Sequence, residues 1–238
     1  MIMINRHDQI LIRASAFLGM AIITLAGIMM FIYPKTGDLP EGYRSAVLAF
    51  EFATEEADLM FMTGTEENAR QNRSDMNRGQ NVDMLFPFAY GGLILFLLLN
   101  LTRMGLLVPK IGILFAIAII PADLWENLVM FSITARLDEG LPAADLLPRL
   151  NVATWLKWWA ISLAAFCLSV GYFQKKKILN GVISLLASGG IAIAWISGAN
   201  PPVVEGMVLM LSVFFGYFSF LSIYRYWRWK KTGIVQIR

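Results

Sequence analysis

Apolar residues in this chain are gathered into six runs, at 14–33, 84–101, 111–133, 152–173, 178–196 and 203–223. Each falls within the roughly 17–25 predominantly apolar residues that let an α-helix cross a hydrocarbon core. The pattern predicts an all-α protein, a polytopic membrane bundle of six transmembrane helices forming one membrane domain over residues 1–238. Only residues 34–83 are long enough to build anything beyond the bundle. This segment opens on turn residues, "PKTGDLPEG", and continues as "YRSAVLAFEFATEEADLMFMTG" (43–64). There Phe50, Ala53, Ala57 and Phe61 are spaced as an apolar stripe, with Glu51, Glu55 and Asp58 alongside. The spacing predicts one amphipathic extracytoplasmic helix, ended by Gly64, on the membrane surface or the mouth of the bundle. The polar run "TEENARQNRSDMNRGQN" is expected to lead back to the membrane.

Composition agrees. Hydrophobic residues make up 57% and charged ones 16% of the chain, and its mean hydropathy is +0.59, against about half and a quarter in soluble domains. The first run is longer than the roughly 7–15 residues of a signal-peptide core and lacks a small-x-small cleavage site before Pro34, so a retained span is expected. Lysine and arginine set the expected orientation. The N-terminal tail (Arg6, Arg13), the 102–110 loop (Arg103, Lys110), Lys175–Lys177 and the C-terminal tail (Arg225 to Arg238) hold twelve basic residues against one acid, Asp8. Residues 34–83 hold five basic and ten acidic groups, and 134–151 hold two and three. Both termini are therefore expected on the cytoplasmic side of a cell (inner) membrane. The net charge of +3 reads as a topology signal and not as nucleic-acid binding. The expected partners are membrane lipids, a membrane-protein partner or a second copy of the chain.

Cys167 and His7 are the only cysteine and histidine. They leave no intrachain disulfide, no cysteine zinc cage and no bis-histidine haem, so no cofactor is expected.

The chemistry lies in polar residues inside the apolar runs. In "IIPADLWENLVMF" (119–131), Asp123, Glu126 and Asn127 share one helical face. At about 1.5 Å of rise per residue, Asp123 falls near the midplane and Glu126 and Asn127 roughly 10 Å below the outer boundary. Asp83 lies at the rim of the second span with Tyr90 two turns deeper. Lys157 falls about 8 Å into the fourth span, one turn below Thr154. Three spans thus place polar groups in the same half of the bilayer. Intramembrane charges face the bundle interior and find partners. Asp123, Glu126 and Lys157 are accordingly candidate proton carriers, cation ligands or catalytic groups, within a ligand site of Asp83, Tyr90, Asp123, Glu126, Asn127, Thr154 and Lys157. The alternative is a buried ion-pair network that only fixes helix packing. Bland readings also attach to the neighbours. Asp83 can cap a helix, and Pro121 can kink one. Trp155, Trp158 and Trp159 can form an aromatic belt, Ser188–Gly190 a helix contact, and Glu55, Glu56, Asp58 and Glu205 solvated groups.

The segments "DMLFPFAYG", "ADLWEN" and "TWLKWW", with the upstream "FATEEADLMFMTG", resemble a family of small polytopic membrane proteins. That family carries D-x-x-F-P-x-x-Y, A-D-x-x-E-N and T-x-x-K-W, over roughly residues 50–160. Ala69 and Arg70 stand where the family tends to have a Gly-Arg pair followed by tyrosine. The resemblance implies that Asp83, Tyr90, Asp123, Glu126, Asn127 and Lys157 act together, and brings no activity with it.

Three function classes remain open at this point. They are binding or processing of a lipid or other amphipathic ligand, proton- or cation-coupled transport, and a non-catalytic accessory or assembly role. No G-x-S-x-G or H-E-x-x-H motif points to an enzyme, and no inverted repeat points to a transporter.

Overall fold

The computed structural model describes residues 6–36 and 38–232; the end of the basic tail, including Arg238, lies outside the described residues. The described chain is all-helical. Its elements are α1 (Arg6–Ile32), α2 (Ala46–Glu51), α3 (Glu67–Asp83), α4 (Phe86–Thr102), α5 (Val108–Asp138), α6 (Leu147–Gln174), α7 (Ile178–Ile196) and α8 (Pro201–Thr232). Six helical stretches are long and apolar enough to cross a membrane: α1, the nearly continuous α3–α4 pair, and α5 to α8. The six-span expectation is met. With an even number of spans, both ends of the described chain fall on one face, called here the terminal face. The segment before α4 occupies the opposite, loop face.

The spans close into a ring. α1 packs on α4, α4 on α5, α5 on α6, α6 on α7, α7 on α8, and α8 returns to α1. Small residues allow the closest approaches. A Cβ on Gly19 would lie 3.0 Å from backbone atoms of Ser219, so α1 and α8 touch almost backbone to backbone there. The Ser188–Gly190 stretch is a helix contact, as expected. The Ser162 hydroxyl donates to the Ser188 carbonyl at 3.1 Å, and a Cβ on Gly190 would meet Met210.

The loop face differs from the sequence expectation. Residues 43–64 are not one helix: α2 ends at Glu51, Phe52–Glu55 are not helical, and a 3-10 helix follows over Glu56–Met62. The break has a local cause. The Asp58 carboxylate accepts the Thr54 and Glu55 amides at 2.7 and 3.0 Å, and Glu55 and Asp58 form a reciprocal capping box. "TEEAD" therefore starts a new helical turn instead of continuing the old one. The polar run after Gly64 is α3, not a connecting loop. α5, at 31 residues, is about 46 Å long and exceeds a hydrocarbon core of about 30 Å. α3 packs beside it on the loop face. Phe50, Leu59, Phe61, Met62 and Met76 pack with Met130, Ile133 and Leu150 in a second apolar core above the first. Arg73, buried in this cap, pairs with Asp138 and donates to the carbonyls of Met62 and Gly64. Two further carboxylates serve as staples instead of solvated groups. Glu56 accepts the Ala143 and Ala144 amides at 3.0 and 3.1 Å. Glu205 of α8 accepts those of Arg44 and Ser45 at 2.8 and 3.0 Å, capping the start of α2.

Candidate functional site

The bend after α2 decides the site, because it turns Glu51 away from solvent and down into the ring. Glu51 is 7% exposed. Its Oε1 lies 3.1 Å from Lys157 Nζ, and Lys157 also pairs with Glu126. The Thr154 hydroxyl donates to the Glu51 carbonyl at 3.1 Å and so anchors the end of α2 on α6. Lys157 Nζ lies 4.5 Å from the centre of the Trp158 ring. One ammonium thus sits between two carboxyls and an aromatic face.

A second set lies alongside. The Tyr90 hydroxyl donates to Asp123 Oδ2. The Asn127 amide donates to Asp83 Oδ2 at 2.9 Å and reaches Asp123 Oδ1 at 3.5 Å. Asp83 is the last residue of α3 and not the cap of α4, whose first turn is preceded by Leu85. Asp123 and Glu126, one turn apart on α5, join the two sets. Pro121 is accommodated inside α5. All seven residues expected from the sequence are brought into this network. Tyr90, Asp123, Glu126, Asn127, Thr154 and Lys157 are buried and Asp83 is half-buried.

Sequence reasoning missed Glu51, which it placed alongside the apolar stripe of the amphipathic helix and outside the site. The signal was available: "AVLAFEFA" holds one acid among seven apolar residues. It also read Trp158 as part of an aromatic belt, whereas Trp158 is buried against Lys157. Burial pushes the Glu51 carboxyl well above the usual carboxylate range. The nearby Glu126 carboxylate adds to this effect and Lys157 opposes it.

The network forms the back wall of a cavity of about 620 Å³. Glu51, Asp83, Tyr90, Asp123, Lys157 and Trp158 line it, together with Phe86 and Ile161. The front wall is apolar apart from Ser212. It is made of Ile22, Ile23, Ala26, Met29 and Met30 from α1 and Val208, Leu211, Ser212, Phe215 and Gly216 from α8. All of these lie on the loop side of the Gly19–Ser219 crossing. The two helices meet there and leave the cavity between them as they run toward the loop face. Ile23, Ala26, Met30 and Ser212 are exposed on the outside of the bundle, so the cavity opens sideways, between α1 and α8.

On the terminal side of the network α4 and α5 bury Leu93, Ile94, Leu97, Ala116 and Ile119, whereas α6, α7 and α8 also bury Ser162, Ser169, Asn180, Ser184, Ser188, Ser219 and Ser222. Among the described residues, no three His, Cys, Asp or Glu side chains converge as metal ligands do. No family model, curated protein or solved structure matches the chain.

Proposed function

We propose that this protein binds an amphipathic, lipid-like molecule that enters from the bilayer between α1 and α8. Its polar end would meet the Glu51, Asp83, Asp123 and Lys157 network. The observation that carries this reading is the sideways-opening cavity of about 620 Å³, apolar in front and ionisable behind. Its size lies within the roughly 300–1,000 Å³ of small-molecule sites, and a few convergent polar groups on apolar walls are their usual chemistry. The basic residues of the terminal face support placing both termini in the cytoplasm of a cell membrane, with the site in the outer half of the bilayer.

The reading is tested by purifying the full-length protein in a sugar-headed detergent and identifying co-purified amphiphiles by mass spectrometry. Ala26→Trp and Ser212→Trp fill the mouth from two different helices, at positions whose side chains already face outward. A retained amphiphile is expected in the wild type and lost in both variants at unchanged thermal stability. Equal retention in all three proteins contradicts the reading.

A further inference from the structure

The network's hydrogen-bonding capacity is unevenly used, and the imbalance bears on the polar end of the occupant. This step rests on the binding reading above. Of the donors on the back wall, Lys157 and Tyr90 are engaged inside the protein, while the Trp158 indole N–H has no hydrogen-bond partner there. Lys157 is held by Glu51 and Glu126 and stacked on Trp158, and the Tyr90 hydroxyl is committed to Asp123. The Asn127 amide behind them is shared by Asp83 and Asp123. The acceptors are in excess. Glu51 Oε2 is buried on a cavity-lining residue and has no hydrogen-bond partner in the protein.

Charge runs the same way. Four carboxyls, Glu51, Asp83, Asp123 and Glu126, face one ammonium. A buried carboxyl without a counter-charge is held neutral by a proton in such surroundings, and a cation brought by the occupant lets such a carboxyl ionise and pair. Aromatic rings stand beside the carboxyls. Tyr90 lies 5.2 Å, centre to centre, from both Phe86 and Phe215, and these three line the cavity with Trp158. Aromatic faces next to carboxylates are the surroundings that hold organic ammonium groups.

We propose that the occupant is a cationic amphiphile: an alkylammonium head, held by Glu51, Asp83 and Asp123 and the surrounding rings, on an apolar chain running out between α1 and α8. The head supplies the missing counter-charge and the donors that Glu51 Oε2 lacks. An anionic head would meet unpaired carboxyls, and a neutral alcohol would bring no cation for them to pair with.

The test compares equilibrium binding of radiolabelled dodecylammonium, dodecyl sulfate and dodecanol to the full-length protein in maltoside micelles. Binding to Ala26→Trp, and independently to Ser212→Trp, is subtracted to remove partition into the micelle. Cavity-dependent binding of the ammonium is expected to exceed that of the other two by about tenfold or more, the worth of one charge-assisted contact. Glu51→Gln is expected to lower ammonium binding by about tenfold while leaving dodecanol binding unchanged. Equal cavity-dependent binding of all three overturns the head-group assignment and leaves the amphiphile site standing. Preference for the sulfate overturns it in the same way. Absence of cavity-dependent binding by any of them overturns both.

Discussion

Lys157→Met removes the one ammonium from the network while keeping a long apolar stem in place, and its consequence can be worked from the geometry. Lys157, Glu51 and Glu126 side chains are 5%, 10% and 1% exposed, with Glu51 at 3.1 Å, so solvent replaces almost none of the lost interaction. Deleting one partner of such a buried pair costs about 3–5 kcal/mol, because the carboxylate left behind is uncompensated. For a chain of this size that corresponds to roughly 6–20 °C in thermal midpoint, at about 2–4 °C per kcal/mol. The assay is thermal unfolding in maltoside micelles at two pH values. Acidification supplies protons in place of the ammonium, so the deficit is expected to be largest near about pH 8 and to shrink toward about pH 5. Lys157→Met combined with Glu126→Gln should recover about 1 kcal/mol or more of the loss, since the two residues are coupled through direct contact. A Lys157→Met protein as stable as the wild type at both pH values, or a double variant no better than the single one, would refute the reasoning.

The raised Glu51 carboxyl gives a pH prediction of definite sign. A carboxyl whose folded-state pKa lies above its unfolded value stabilises fully below the unfolded value, and progressively less as pH rises through the folded one. Wild type is therefore expected to lose stability relative to Glu51→Gln as pH rises from the ordinary 4.5 of glutamate, read as the difference between their unfolding midpoints. Glu205→Ala frees the Arg44 and Ser45 amides and should cost about 1 kcal/mol, as loss of a helix cap does. Hydrogen exchange should speed up locally over α2, with α5 and α6 unaffected. Glu56→Gln keeps an acceptor for the Ala143 and Ala144 amides and should be nearly neutral, whereas Glu56→Ala should cost about 1–3 kcal/mol in thermal unfolding.

The six spans were legible because apolar length is the signal for crossing a bilayer, and the shared depth of Asp83, Asp123, Glu126 and Lys157 followed from it. α3 was not legible. Its buried residues, Ala69, Arg73, Met76, Gly79 and Gln80, recur at helical spacing, but two of the five are polar and Gly79 adds no side chain, so no apolar stripe marks the face. The break after Glu51 was hidden for the opposite reason. Phe50, Ala53 and Phe61 fit a single helical stripe, and only the Thr54, Glu55 and Asp58 capping pattern shows that a second turn begins there. With that break unseen, Glu51 stayed alongside the stripe of one amphipathic helix. The cavity was beyond sequence reading altogether, since it depends on where α1 and α8 cross, at Gly19 and Ser219.

Photolabelling tests the central claim most directly. A dodecylammonium carrying a diazirine on its chain is irradiated with the full-length protein in maltoside micelles, and the adducts are mapped by peptide mass spectrometry. Adducts are predicted to concentrate on 22–30 of α1 and 208–216 of α8, and to disappear from both segments in Ala26→Trp. Adducts spread evenly over outward-facing positions such as Phe17, Leu114 and Phe220, unchanged by Ala26→Trp, would contradict the account.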